Sequence, residues 1–156
     1  LMTPASSAAL AIAVMLDPLS GGAALIGTTA GFVVYTAMGW SQNNMGANIA
    51  QTIVTPKVQF PNLLKSPLLM FGPAFIAGLS AMIAVGIFNL KGPFAIAGLG
   101  LNGFIAPIAL ASSDPRALVL VAIFGIVVPV VASMSMYYAL NRLGKTHKND
   151  LHLEVV

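Results

Sequence analysis

Long runs of apolar residues, interrupted at regular distances by proline, glycine and single charges, set the pattern of this chain. Residues 1–16 are apolar and alanine-rich and close at Asp17-Pro18, so they read as the end of a span. Pro18 to Gly22 reads as a tight turn, because proline and paired glycines interrupt a helix. A second span is expected over 23–40, with Gly27 and Gly31 on one face at the small-xxx-small spacing that permits close helix contact. Tyr35 and Trp40 are its interfacial anchors. Residues 67–90 carry no charge and form the clearest span, ended by Lys91, Gly92 and Pro93. Asp114 and Pro115 then supply an N-cap and a first helical residue. The last span follows over 116–140, with a kink expected at Pro129.

Two stretches break this pattern. Residues 41–66 are amphipathic and rich in amides and prolines, too polar to span and too apolar for a solvated loop. A short helix over about 44–54 is expected there, ending before Thr55-Pro56 because a residue preceding proline disfavours helix. The segment either lies in the interface or dips inward as a re-entrant element. Residues 94–113 gather Gly98, Gly100, Asn102, Gly103 and Pro107 near their middle. A continuous helix would lose about 1 kcal/mol per glycine and about 3 for proline. Two half-helices meeting at 98–103 are expected instead.

Composition removes water as the main solvent. The chain has 156 residues, 58% apolar and 7% charged, against about 45–50% and about 25% in soluble domains. A span needs about 20 residues, so at most six fit, and with Leu1 opening inside an apolar run the chain reads as part of a larger bundle. The fold class is an all-α integral membrane protein of about four transmembrane helices, with a re-entrant hairpin and an amphipathic or re-entrant segment. Residues 1–141 form the transmembrane, transporter-like domain. Residues 142–156 form a polar, solvated tail. With no cysteine, disulfides, thiolate catalysis and cysteine metal sites are excluded.

Charge sets the orientation. With 41–66 and the tail on one side, that side holds Lys57, Lys65, Arg142, Lys145 and Lys148, five of the seven basic residues. The positive-inside effect makes it cytoplasmic, and it explains the +3 net charge better than nucleic-acid binding does. The 67–90 span then leaves the cytoplasm and the 116–140 span returns. Residues 94–113 must therefore enter and leave on the outer side.

No catalytic constellation, cofactor motif or metal cluster is legible. His147 and His152 lie in the tail, and the acids Asp17, Asp114, Asp150 and Glu154 lie at helix ends or in the tail. No acid falls at mid-membrane, where ion-coupled carriers often place one. What remains are amides, hydroxyls and a lysine beside irregular backbone, an inventory suited to a neutral, hydroxyl-rich solute. The candidate solute-binding residues are Asn48, Gln51, Thr52, Thr55, Lys57, Gln59, Asn62 and Asn102.

The blocks GFVVY at 31–35, NIAQTIVTPKVQFPNLLKSP at 48–67, TPASSAALAIA at 3–13 and GLGLNGF at 98–104 resemble the EIIC membrane components of the bacterial phosphotransferase system. The resemblance implies a multi-pass inner-membrane sugar permease, matching the C-terminal half of a longer family pattern. It also implies a homodimer and a separate cytoplasmic EIIB phosphocarrier. The Gly-Ile-Thr-Glu type motif of better understood sugar permeases is absent. A phosphotransfer-independent solute transporter or channel, and a non-transporting membrane scaffold or regulator, are the alternative readings.

Overall fold

A computed structural model describes residues 4–154. Leu1, Met2 and Thr3 of the first run, and Val155 and Val156 of the tail, lie outside the described residues. The described chain is all α-helical in its regular elements. Helix α1 spans Pro4–Ala13 and α2 spans Pro18–Gly39. Short α3 (Met45–Ile49) and α4 (Phe60–Lys65) are followed by α5 (Pro67–Gly86), α6 (Ile105–Ser113), α7 (Pro115–Val121) and α8 (Val128–Arg142). Among the described residues, three continuous helical stretches are long and apolar enough to cross a membrane: Pro18–Gln42, Pro67–Gly86 and Pro115–Arg142. Helix α1 is apolar but only 10 residues long.

The expected turn at 18–22 is instead the first turn of α2. Asp17 caps it, its carboxylate accepting from the Leu19 and Ser20 N–H groups at 3.0 and 3.1 Å. Pro18 sits at the first helical position, where a missing N–H costs nothing. Hydrogen bonding by the Ser20 hydroxyl and then by backbone N–H groups holds the Asp17 carboxyl below its usual pKa. Gly21 and Gly22 serve packing here, since the backbone of Leu90 and Gly92 occupies the space a Cβ would need. The Gly92 N–H donates to Pro18 O at 2.8 Å, tying the loop after α5 to the start of α2.

Helix α2 is the central post, packing on α5 and α8 and contributing to both buried clusters. One cluster includes Leu25, Ile26, Ala84, Leu110 and Leu120; the other includes Ala30, Val34, Leu63, Leu69 and Tyr137. The Gly27 and Gly31 face, expected to pack closely, has open space at both Cβ positions. No neighbour among the described residues uses it.

The last span takes up its proline without a simple kink. Residues Ala122–Val127 form a π turn between α7 and α8. Pro129 has no N–H to return to a carbonyl one turn earlier. The Ser80 hydroxyl of α5 donates to Phe124 O at 2.5 Å, satisfying a carbonyl within the irregular turn. At the start of this span, Asp114 caps as expected, accepting from the Ala117 N–H at 3.0 Å.

Residues 94–113 are half of what the sequence suggests. The return leg is helix α6, but the descending leg, residues 94–101, is a chain of turns. Its glycines explain why. Gly98 passes so close to the α1 backbone at Ser7 and Ala8 that no Cβ fits, and Gly100 has φ +55° against the Phe32 ring. The segment leaves from the Pro18 and Gly92 end, meets α2 where Thr28 Oγ1 lies 3.2 Å from Ala97 O, and returns to that end at Asp114.

Residues 41–66 form the opposing arm. Helix α3, capped by Asn44 accepting from the Ala47 N–H at 2.8 Å, runs into a π turn over Ala50–Val54. It stops at Thr55, φ −165°, immediately before Pro56, where the sequence places the break. A 3₁₀ turn, Pro56–Gln59, and α4 return the chain to α5.

The tail is not free in solvent. Leu151 is fully buried and Thr146 nearly so. Leu151 O accepts from Asn43 Nδ2 and Gln59 Nε2, both at 2.9 Å, and the Leu151 N–H donates to Gln42 Oε1 at 3.0 Å. Polar composition concealed this because backbone groups of Leu151, His152 and Leu153 bonded to side-chain amides, rather than an apolar run, make the attachment.

Candidate functional site where two broken segments meet

The arm over 45–54 lies along α2 from its end at Trp40 back to Thr36. Spacing of three and four places Asn48, Gln51 and Thr52 on its α2-facing side. Asn48 is 3% exposed and its Nδ2 donates to Trp40 O at 3.2 Å and Asn43 O at 3.4 Å. Gln51 is fully buried and its Nε2 donates to Thr36 Oγ1 at 2.7 Å. The Thr36 and Thr52 hydroxyls are 2.8 Å apart, and Thr52 Oγ1 also donates to Asn48 O at 2.8 Å.

Two acceptors in this network have nothing to accept from. Asn48 Oδ1 and Gln51 Oε1 are buried and unpaired among the described residues. Asn48 cannot be turned end for end, because its nitrogen faces two carbonyls. For Gln51, turning the amide would leave the other end bare instead. An unpaired buried acceptor costs about 1–3 kcal/mol, so this arm holds two such costs three residues apart. Ser133 Oγ on α8 is a third buried, unpaired atom, but no other unpaired group accompanies it.

Beyond Gln51 the arm ends at Val54, whose carbonyl is among those a helix terminus cannot satisfy internally. Asn102 supplies the donor from the opposing segment, its Nδ2 lying 2.7 Å from Val54 O. The structure thus brings the two irregular stretches into contact, end against end. Asn102 opens the short turn Asn102–Phe104, in which Gly103 and Phe104 have φ +53° and +57° before α6 begins.

The remaining candidates do other things. Thr55 caps the 3₁₀ turn, its hydroxyl 3.3 Å from the Lys57 N–H. Lys57 is exposed and lines, with Thr55 and Phe60, a hollow of about 270 Å³. Gln59 and Asn62 hold the tail: Asn62 Nδ2 donates to Gln59 Oε1 at 2.9 Å and to His152 O at 2.8 Å. A cleft of about 580 Å³, lined by Ala47, Ala50, Asn62, Lys65 and His152, opens on the other side of the arm. The eight candidates therefore form an inner group (Asn48, Gln51, Thr52, Asn102), a rim (Thr55, Lys57) and a clamp on the tail (Gln59, Asn62).

Sequence reasoning missed Thr36, whose hydroxyl receives Gln51 and Thr52. It lies inside an apolar span, where a lone threonine commonly bonds its own helix, as Thr36 does to Phe32 O at 3.3 Å. Gln42 and Asn43 were also missed as anchors of the tail; their available signal was a pair of adjacent amides at the end of a span.

The family model described as "Phosphotransferase system, EIIC" matches residues 1–153. No curated protein and no solved structure matches the chain. Three apolar helices of spanning length, an all-α fold and a match over nearly every residue agree with one another. The chain belongs to the EIIC family of the phosphotransferase system, whose members are multi-pass permease components of the inner membrane.

Proposed function

We propose that the chain carries part of the solute path of a sugar permease, with the solute bound where the two broken segments meet. The observation that carries this reading is the pair of buried, unpaired acceptors, Asn48 Oδ1 and Gln51 Oε1. A sugar presents several hydroxyl donors, and pairing them with these oxygens removes the cost of leaving the oxygens bare. Thr52 and Asn102 extend the polar surface, and Lys57 and Thr55 stand at its rim. In the described conformation the amides face α2, so the arm must move away from Thr36 to admit the solute.

Both segments are re-entrant in this reading. Residues 94–113 dip from the Asp17 and Asp114 end and 41–66 dip from the tail end, each returning to its own face. The tail end carries Lys57, Lys65, Arg142, Lys145 and Lys148, so it faces the cytoplasm. An EIIB-type phosphocarrier meets the permease there, and the permease works as a homodimer. This chain's acids lie at Asp17, Asp114, Asp150 and Glu154, none of them in the inner group. Within these residues the site binds and orients the sugar, and any proton acceptor for phosphoryl transfer comes from elsewhere.

The test is uptake of a panel of radiolabelled hexoses and hexitols in cells with and without the soluble phosphocarrier proteins. The reading predicts accumulation of phosphorylated sugar only when the phosphocarriers are present. Accumulation of unmodified solute without them would replace it with a phosphotransfer-independent carrier.

A further inference from the structure

A cavity of about 1160 Å³ is separate from the candidate site. It lies between the end of α2, α8 and the tail. Its inner wall is apolar, from Ala37 and Met38 on α2 and Val130, Val131 and Met134 on α8. Its rim is polar and aromatic: Trp40, Tyr138, Asn141, His147 and Lys148. Trp40 and Tyr138 are 55% and 59% exposed, so neither is covered by this chain.

We propose that this cleft binds one anionic glycerophospholipid from the leaflet at the tail end. Three observations fit that occupant. The first is length. Val130 to Asn141 spans eleven helical steps, about 16 Å, close to the roughly 15 Å that is half the hydrocarbon core. An acyl chain lying along Val130, Val131 and Met134 therefore begins near the bilayer centre and ends at the rim.

The second is the change in chemistry at that level. Tryptophan and tyrosine take the headgroup region of a bilayer, and the Ser41 and Tyr138 hydroxyls with Asn141 Nδ2 face the cleft for glycerol and ester oxygens, Asn141 Oδ1 being held by the Thr146 hydroxyl. The third is charge. No acidic side chain lines the cleft, whereas Lys148 and His147 do, with Arg142 and Lys145 exposed on the same tail. The nearby Asp150 carboxylate is already engaged, its Oδ2 accepting from the His147 N–H at 2.8 Å. A phosphate with no compensating headgroup cation suits this rim, and basic pockets between membrane helices bind such lipids. The proposal does not depend on which solute is carried.

Trp40 is the single tryptophan, so the protein reports on its own cleft. The protein is reconstituted in phosphatidylcholine vesicles, and Trp40 emission is titrated with brominated phosphatidylglycerol or brominated phosphatidylcholine. Quenching is expected at about fivefold lower mole fraction of the anionic lipid, the preference one near-surface lysine supplies. Lys148→Gln is expected to bring the two lipids close to parity, while Lys91→Gln, at the opposite end, leaves the preference unchanged. Equal quenching by both lipids in the native chain overturns the proposal. So does a preference that survives Lys148→Gln, or one lost in Lys91→Gln, which marks general surface charge. Absence of quenching by either lipid also overturns it, because the cleft is then covered by protein.

Discussion

Substitution of Gln51 tests the proposed solute site separately from the fold. Its amide is fully buried, yet only one end is bonded. A leucine of similar volume discards one hydrogen bond and one bare acceptor together, and such paired losses nearly cancel. Gln51→Leu is therefore expected to leave thermal stability in detergent within about 1 kcal/mol of the native chain. It is also expected to weaken apparent sugar affinity by about 5- to 150-fold, the equivalent of about 1–3 kcal/mol for an unmet hydroxyl. A large stability loss with normal uptake would make Gln51 a structural residue. At this scale the sequence was legible in the local break at Thr55-Pro56, where the helix stops as a residue preceding proline requires. It was not legible for Thr36, since partners fifteen residues apart meet only through the fold.

At the scale of elements, proline and glycine do different work, and only proline announces it. Pro56 and Pro115 fix a boundary through their own backbone restrictions, so both breaks were readable in advance. A glycine's meaning depends on what lies against it. Gly98 presses on the α1 backbone, whereas Gly31 faces open space. Gly98→Ala is expected to cost about 1–3 kcal/mol, by overpacking against a backbone that cannot yield. Gly31→Ala is expected to be neutral, or stabilising by up to about 1 kcal/mol through helix propensity. Thermal unfolding of both variants in one detergent measures the contrast. The same dependence on context made Gly21 and Gly22 look like a turn, when Asp17 and Pro18 before them open a helix. It also hid the turn-built descending leg at 94–101, where close approach to α1 and α2 goes with a succession of turn hydrogen bonds, such as Ile96 N–H to Pro93 O and Leu99 N–H to Ile96 O, in place of helical ones.

For the molecule as a whole, composition and long apolar runs were enough to give the class and the three long helices, and the distribution of basic residues gave the common end shared by 41–66 and the tail. The tail's attachment was beyond these, because Leu151 is a single buried apolar residue and the bonds around it join the backbone of 151–153 to side-chain amides far away in sequence. Leu151→Ala is expected to destabilise by about 2 kcal/mol or more and to free Gln59 and Asn62, seen as faster proteolysis within 142–154. Two segments approach from opposite ends of the bundle and meet at Asn102 and Val54. The chain has no cysteine, so paired cysteines report without background. With Val54→Cys and Asn102→Cys together, a short bifunctional thiol reagent is expected to bridge the pair within one chain. Val54→Cys with Ser113→Cys, at the far end of α6, is expected to stay unbridged. A failure to bridge the first pair, or equal bridging of both, would contradict the meeting of the two segments and the solute site placed there.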